Sequence, residues 1–293
     1  MKLEFTSLPM NRPAIRQRAF SLLEVMVAVG LLAFIIVGLV LTFNQVQRAF
    51  RVGLGQSDVL EGGRAVMNVL VRDLQEVSAF GDDYVTNFFS YRAYPETYQD
   101  QPGGGQRTNR LCDFYFISRR NDEYAILAYR VDATNELIGS LMRFETNILQ
   151  NNVVDTYLAA SNIMANDIGR WLYREVPSSR FHPVADNVVH FQAVANDTNG
   201  HAFAFTNNYR TNYTDRFDGA ANDVFQFSGK DLPAYVDLEL GVMEPSTAAK
   251  LKIRADANPQ QGEDYFKDRI GKVDLFRQRI PIRAAATQIK PPN

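Results

Sequence analysis

The stretch that decides the fold runs from Arg16 to Phe43 and begins with RQRAFSLLE. It joins a basic segment, one carboxylate at Glu24 and an uncharged apolar run of nineteen residues, Val25 to Phe43. As a helix with a rise of about 1.5 Å per residue, that run reaches about 28 Å, close to the hydrocarbon thickness of a bilayer. The stretch therefore predicts a membrane-spanning helix with a carboxylate at its entrance, where a charge is costly.

The apolar helix is expected to stay on the mature protein. A secretory signal peptide is cut after its apolar region at a small-residue site, and no A-x-A-like site follows Phe43. The chain continues instead from Asn44 to Arg51 in a polar pattern that is compatible with a helix. The leader carries an excess of positive charge, which favours a cytoplasmic N-terminus. Its charged residues are Lys2, Glu4, Arg12, Arg16 and Arg18.

The residues from Ala19 to Glu24 resemble the N-terminal motif of the type IV pilins and of the pseudopilins of type II secretion. These proteins carry a basic leader, a small residue, Phe, Ser or Thr, two apolar residues and Glu, followed by an apolar helix. The resemblance implies that a prepilin peptidase cuts between Ala19 and Phe20 and that the new Phe20 amine is methylated. This sequence departs from the family at Ala19, where Gly is usual, although Ala is also small.

Glu24 is predicted to act in assembly. A buried carboxylate needs a partner, and in a packed filament that partner is the Phe20 amine of a neighbouring subunit. The competing interpretation is a plain signal anchor in which Glu24 is a tolerated charge at the membrane interface. The leader, the residue at the cut, the spacing of Phe20 and Glu24 and the length of the span all favour the pilin-like interpretation.

The expected fold class is α+β and pilin-like, with a long N-terminal helix packed on an antiparallel β-sheet headpiece. The predicted segments are a leader at 1–19, a transmembrane and assembly helix at 20–43, a continuation that packs on the headpiece at 44–79, and a β-rich headpiece at 80–293. Apolar residues recur at three- and four-residue spacing in the continuation, which indicates one amphipathic face. They are Val59, Leu60, Val66, Met67, Leu70, Leu74 and Val77, with Arg64, Arg72, Asp73 and Glu76 among the polar positions.

Glycines interrupt the continuation at Gly53, Gly55, Gly62 and Gly63. Each costs about 1 kcal/mol relative to Ala inside a helix, so this region is expected to bend, fray or melt. Two interpretations stay open for it. It is either a weak helix segment suited to filament packing or a simple loop between two helices.

The headpiece sequence predicts a loop first and strands afterwards. Residues 80–109 are rich in Tyr, Asn, Gln and Gly, which indicates a flexible surface connection. Period-two patterns then predict a sheet, and two short helices are expected at 153–165 and 246–253. The predicted strands cover residues 111–118, 123–131, 137–145, 186–195, 234–242 and 273–283.

Within the family, the headpiece is most similar to the J-type minor pseudopilins and the W-type minor pilins. Three pieces carry this likeness: Arg72-Asp73-Leu74, the strand end Leu127 to Val131, and Leu232 to Leu240. Pilin-like cassette proteins of bacteria with large genomes fit equally well. The K-type minor pseudopilins are disfavoured, because that class lacks the acidic residue that Glu24 supplies here.

The sequence shows little enzyme chemistry and predicts no cofactor. His182, His190 and His201 are too far apart for a helical zinc pair, and His190 is expected to point outward from a strand. No Gly-x-Ser-x-Gly elbow, Cys-x-x-Cys pair or dinucleotide fingerprint occurs. The single cysteine, Cys112, excludes an intrachain disulfide and is expected in the core. A net charge of -2 gives no nucleic-acid signature.

Two loops are weak candidates for calcium binding, because they place oxygen ligands beside glycine. One holds Asp197 and Asn199; the other holds Asp215, Asp218, Asn222 and Asp223. Neither has the full spacing of a calcium loop with its distal Glu. Clusters of Asn, Asp and Gly are also what ordinary turns require, so the turn interpretation stands beside the metal site.

The sequence thus favours a non-enzymatic minor pseudopilin or minor pilin that primes or caps a type II secretion pseudopilus or a type IV pilus. It would be a single-pass protein of the bacterial inner membrane with a cytoplasmic N-terminus and a periplasmic headpiece. After assembly it would be part of the filament. Its expected partners are other pilin subunits, a prepilin peptidase, an inner-membrane assembly platform and membrane lipid. The alternative is a membrane-anchored extracytoplasmic enzyme or ligand-binding module that uses a prepilin-like anchor.

Overall fold

The computed structural model describes residues 21–80, 86–120, 123–133, 135–148, 178–203 and 224–283. The chain divides at Gly53 into two compact units. Helix α1, Leu22–Gln75, begins in the first unit and ends in the second. In the second unit, the last turns of α1 pack on a curled antiparallel sheet. The predicted α+β, pilin-like fold is therefore confirmed.

The second unit also holds ten strands and two shorter helices among the residues that the structure describes. The first five strands are β1 (Thr86–Arg92), β2 (Thr97–Asp100), β3 (Gln106–Asn109), β4 (Cys112–Arg120) and β5 (Glu123–Asp132). The others are β6 (Gly139–Ile148), β7 (His182–Asn196), β8 (Val224–Ser228), β9 (Tyr235–Met243) and β10 (Val273–Pro281). Helices α2 (Pro245–Ala257) and α3 (Pro259–Lys267) lie between β9 and β10.

Eight of these strands form one sheet in the order β10-β9-β7-β6-β5-β4-β1-β8, and every pairing in it is antiparallel. Strands β2 and β3 form a separate hairpin. The six strands predicted from period-two patterns correspond to β4, β5, β6, β7, β9 and β10, and the helix predicted at 246–253 corresponds to α2. The helix predicted at 153–165 lies outside the described residues.

The prediction of a loop at 80–109 is wrong, because this region contains β1 and the β2–β3 hairpin. The six residues from Thr86 to Tyr91 are all buried, so β1 is covered on both faces and shows no alternation of apolar and polar residues. The hairpin strands are polar and carry no strand signal of their own. Strand β8 and helix α3 were not predicted either.

One face of α1 supplies its share of the main core. Leu70 and Leu74 have no exposed surface, and Val66 and Met67 are almost as deeply buried. They belong to one apolar cluster with sheet residues such as Phe114 and Leu238. Burial of a large apolar side chain is worth about 1.5 to 3 kcal/mol, so this face binds the helix firmly to the sheet.

The helix does not break at its glycines. Helix α1 is continuous through Gly53, Gly55, Gly62 and Gly63, so the interpretation of this region as a loop between two helices is wrong. Gly63 has a packing role instead, because a Cβ atom there would lie 2.2 Å from the ring of Phe276 on β10. Glycine permits this close approach, and the contact with the sheet offsets its low helix propensity.

Asp73 was expected on the polar side of the helix but is completely buried. Its Oδ2 accepts hydrogen bonds from the hydroxyl of Tyr129 at 2.6 Å and from Nε of Arg143 at 2.7 Å. Arg143 also pairs with Glu145 at 2.7 Å. Burial and the Asp73 carboxylate raise the pKa of Tyr129, so its hydroxyl remains a donor. This polar network attaches the end of α1 to β5 and β6.

Candidate assembly segment

The first unit is dominated by an exposed apolar surface. Every residue from Ser21 to Arg51 is exposed, including Phe34 at 79% and Phe43 at 62%. A helix that is apolar on all sides is typical of a membrane span or of the interior of an assembly. Within the part of the chain that the structure describes, α1 is the one helix long and apolar enough to cross a membrane, by length and composition.

The first turn of α1 is closed by a reciprocal pair of side chains, Ser21 and Glu24. The Glu24 amide donates to Oγ of Ser21 at 3.2 Å, and the Ser21 amide donates to Oε2 of Glu24 at 3.1 Å. This arrangement is a capping box, in which two otherwise unpaired helix amides are satisfied. The negative charge of Glu24 also lies favourably at the positive end of the helix dipole.

Glu24 was predicted to act in assembly, and the structure shows a local role that was not predicted. The signal was readable, because Ser followed three residues later by Glu before an apolar run predicts a capping box. Both contacts of the carboxylate use Oε2. These local bonds fix the position of the carboxylate in the first turn. Ala19 and Phe20, the residues of the expected cut, lie outside the described residues.

The structure describes one of the two calcium candidate loops. Asp197 and Asn199 lie in the turn that follows β7, and Oδ1 of Asp197 accepts from the amides of Asn199 at 2.9 Å and of His201 at 2.8 Å. The bond from the His201 amide, helped by the other, lowers the pKa of Asp197. This carboxylate therefore has a clear role in shaping the turn. Asp215, Asp218, Asn222 and Asp223 lie outside the described residues.

His190 is buried, and the prediction that it points outward from its strand is wrong. The next residues, Phe191 and Ala193, do alternate with it and face the main core, but the chain at Arg110 lies against His190 and covers it. Its Nδ1 accepts from the amide of Arg110 at 3.0 Å, and its Nε2 lies 3.2 Å from Oε2 of Glu239. His190 therefore connects strands rather than facing solvent.

The remaining reactive side chains do not converge. Cys112 is buried in β4, as expected for a small core residue. His182 lies at the exposed start of β7, and the side chain of His201 is 81% exposed. Among the described residues, no group of three His, Cys, Asp or Glu side chains is placed to hold a metal ion.

Comparison with known proteins adds one finding. Residues 15–40 match the family described as Prokaryotic N-terminal methylation motif. The match includes Ala19, Phe20, the Ser21–Glu24 capping box and most of the apolar run. Searches of curated proteins and of solved structures gave no match.

Proposed function

We propose that this chain, which carries the N-terminal motif of the type IV pilin and pseudopilin family, is a minor pseudopilin or minor pilin. It is a non-enzymatic structural subunit that primes or caps a type II secretion pseudopilus or a type IV pilus. The observation that carries the proposal is the methylation motif at residues 15–40, with Glu24 in the first turn of an exposed apolar helix. The minor role is supported by the bulk of the headpiece that follows this helix.

The motif and the apolar helix support anchoring in a membrane and association with other pilin subunits and a prepilin peptidase. We further propose that the leader is cytoplasmic and is removed between Ala19 and Phe20. The excess of basic residues in the leader supports this orientation, since such residues stay on the cytoplasmic side. The headpiece is then periplasmic, and the chain contacts the assembly platform in the inner membrane.

Assembly would use the charge that the helix exposes at its start. Outside a filament, the capping box keeps the Glu24 carboxylate hydrogen-bonded in the first turn of the helix. When apolar helices pack side by side, the carboxylate loses water and requires a positive partner. Cleavage before Phe20 supplies that partner as the new amine of a neighbouring subunit.

The test of this proposal is the variant Glu24→Ala, compared with the matched control Glu61→Ala. Glu61 is an exposed glutamate farther along the same helix. Loss of one member of a buried charge pair costs about 3 to 5 kcal/mol, so Glu24→Ala should enter the membrane but no longer co-purify with partner pilins. Glu61→Ala should co-purify normally. Normal recovery of partners with Glu24→Ala would contradict the assembly role.

Processing is tested separately by mass spectrometry of the protein purified from a host that has a prepilin peptidase. The mature chain is expected to begin with a methylated Phe20. A chain that retains residue 1, or one cut beyond Phe43, would show that the segment is an anchor or a secretory signal of another kind.

A further inference from the structure

The β2–β3 hairpin, residues 97–109, lies outside the main sheet and contributes no apolar side chain to the core. Its buried side chains are those of Gln99 and Asn109, at 0% and 1% exposure. Its few apolar groups, Tyr98 and Pro102, are exposed. Buried apolar contacts are what normally makes an element unfold together with the rest of a domain. This hairpin lacks them.

Gln99 makes the contact that ties the hairpin to a neighbouring helix. Its Nε2 donates to the backbone carbonyl of Phe266 in the last turn of α3, at 3.3 Å. Its Oε1 accepts from Nδ2 of Asn109 at 3.3 Å and from Nη2 of Arg107. This side chain therefore bridges the two strands, which also pair through their backbones, and connects the hairpin to α3.

In the structure the hairpin lies against α3, which we call its closed position, and this packing leaves buried polar atoms without hydrogen bonds. Nε of Arg107 and Oδ1 of Asn109 are buried without a hydrogen-bond partner. Burial lowers the pKa of Arg107, and the guanidinium of Arg277 lowers it further, so the closed position disfavours the charge on Arg107. Water would reach both atoms if the hairpin lifted, and these penalties would be relieved.

The base of the hairpin, in contrast, is firmly held. Oε1 of Glu96 pairs with Nη1 of Arg92 and with Nε of Arg110, each at 2.7 Å, so it gathers the two ends of the hairpin. The backbone of Arg110 is bonded on both sides to β7: its amide donates to His190, and its carbonyl accepts from the Phe191 amide at 2.7 Å. The chain is thus fixed at residues 96 and 110 and weakly attached between them.

We propose that residues 97–109 form a flap that opens as a unit about the Glu96–Arg110 base while the main sheet stays folded. Gln99 is its catch. Opening breaks the bond between Gln99 and the Phe266 carbonyl and hydrates Arg107 and Asn109.

Hydrogen exchange of the full chain in detergent micelles tests the proposal. In the wild-type protein, the amides of β2 and β3 should exchange at least about 100-fold faster than those of β4 and β5, through an opening that low urea does not accelerate. Gln99→Ala should speed exchange in the flap about fivefold further, the factor expected for one lost hydrogen bond, and leave β4 and β5 unchanged. Gln106→Ala is the matched control: it removes only an exposed bond within the hairpin, from Nε2 of Gln106 to Oδ1 of Asp100 at 3.1 Å, and should leave exchange unchanged because the hairpin opens as a unit.

The wild-type comparison does not depend on any variant. If the flap amides exchange together with those of β4 and β5, the hairpin opens only when the whole domain unfolds and the proposal is wrong. An equal effect of Gln99→Ala on the flap and on β4 and β5 would lead to the same conclusion.

Discussion

At the scale of single residues, Ser21 is the position where a small change should be felt most at the start of the helix. Ser21→Ala removes the hydroxyl that accepts the Glu24 amide, and the loss of such a cap costs about 0.5 to 2 kcal/mol. We expect faster hydrogen exchange of the amides of the first turn in detergent micelles. Ser57→Ala, an exposed serine within the same helix, should have no effect there. Equal exchange in both variants would show that the capping box does not stabilise the turn.

Asp113 is a buried carboxyl whose environment gives the headpiece a dependence on pH. The Tyr91 hydroxyl donates to its Oδ2 at 3.1 Å, and the Val131 amide donates to its Oδ1 at 3.0 Å. Burial outweighs these bonds and raises the pKa of Asp113 to about 7. The unfolded chain has a pKa of about 3.9 at this residue, so between about pH 4 and pH 7 the folded state holds a proton that the unfolded state releases. This group therefore makes the fold less stable as the pH rises through that window.

The variant Asp113→Asn should flatten this dependence, because an amide keeps the neutral form of the side chain at every pH. Its carbonyl can still accept the Val131 amide. We expect urea unfolding of the detergent-solubilised chain to show a gain in stability for the variant at about pH 8 and little difference at about pH 4. Asp58→Asn, at an exposed site on α1, should keep the wild-type slope. If Asp113→Asn also keeps the wild-type slope, the dependence of stability on pH comes from another group.

At the scale of elements, the part of α1 after Gly53 belongs to the headpiece. Its apolar face is buried in the main cluster, and the division of the chain falls just before it. A fragment that starts at Gln56 should therefore be soluble and folded. A fragment that starts at Gly81 loses Leu70 and Leu74, and the uncovered partners cost about 1.5 to 3 kcal/mol each, more than a marginal domain can lose.

Thermal unfolding of these two fragments decides the matter. The longer one should melt cooperatively, and the shorter one should aggregate or show no transition. If the shorter fragment melts like the longer one, the helix is not part of the headpiece fold.

Strand β9 and the headpiece part of α1 could be predicted because their burial differs between two faces: burial alternates from Tyr235 to Leu240, and the apolar positions of α1 repeat with the period of a helix. Strands β4 and β5 are buried on both faces and were predicted from their content of Phe, Tyr, Ile and Val. Strand β1 is buried on both faces, and the β2–β3 hairpin buries no apolar side chain. Neither element therefore shows a period-two pattern of apolar residues. His190 was misplaced because the segment that covers it, at Arg110, is 80 residues away in the chain and cannot be read from the pattern of β7.

At the scale of the whole molecule, the N-terminal segment was more readable than the headpiece. The motif from Ala19 to Glu24 is local, because its residues are consecutive in the sequence, and the family comparison covers it. Contacts such as Asp73 with Arg143, or Gly63 with Phe276, join residues far apart in the chain. Propensity at one position says nothing about a partner that only the folded sheet brings near. Asp73 and Gly63 accordingly looked like a surface charge and a helix breaker.

The network at Asp73 has a consequence for the history of the sequence. A change at Arg143 alone would remove the arginine that pairs at 2.7 Å with the fully buried Asp73 carboxylate, and the loss of one partner of a buried pair costs about 3 to 5 kcal/mol. An ancestor with apolar residues at Asp73, Tyr129 and Arg143 together would have suffered no such penalty. Substitutions at these three positions should therefore be inherited as a set, and descendants with only one of them replaced should be rare.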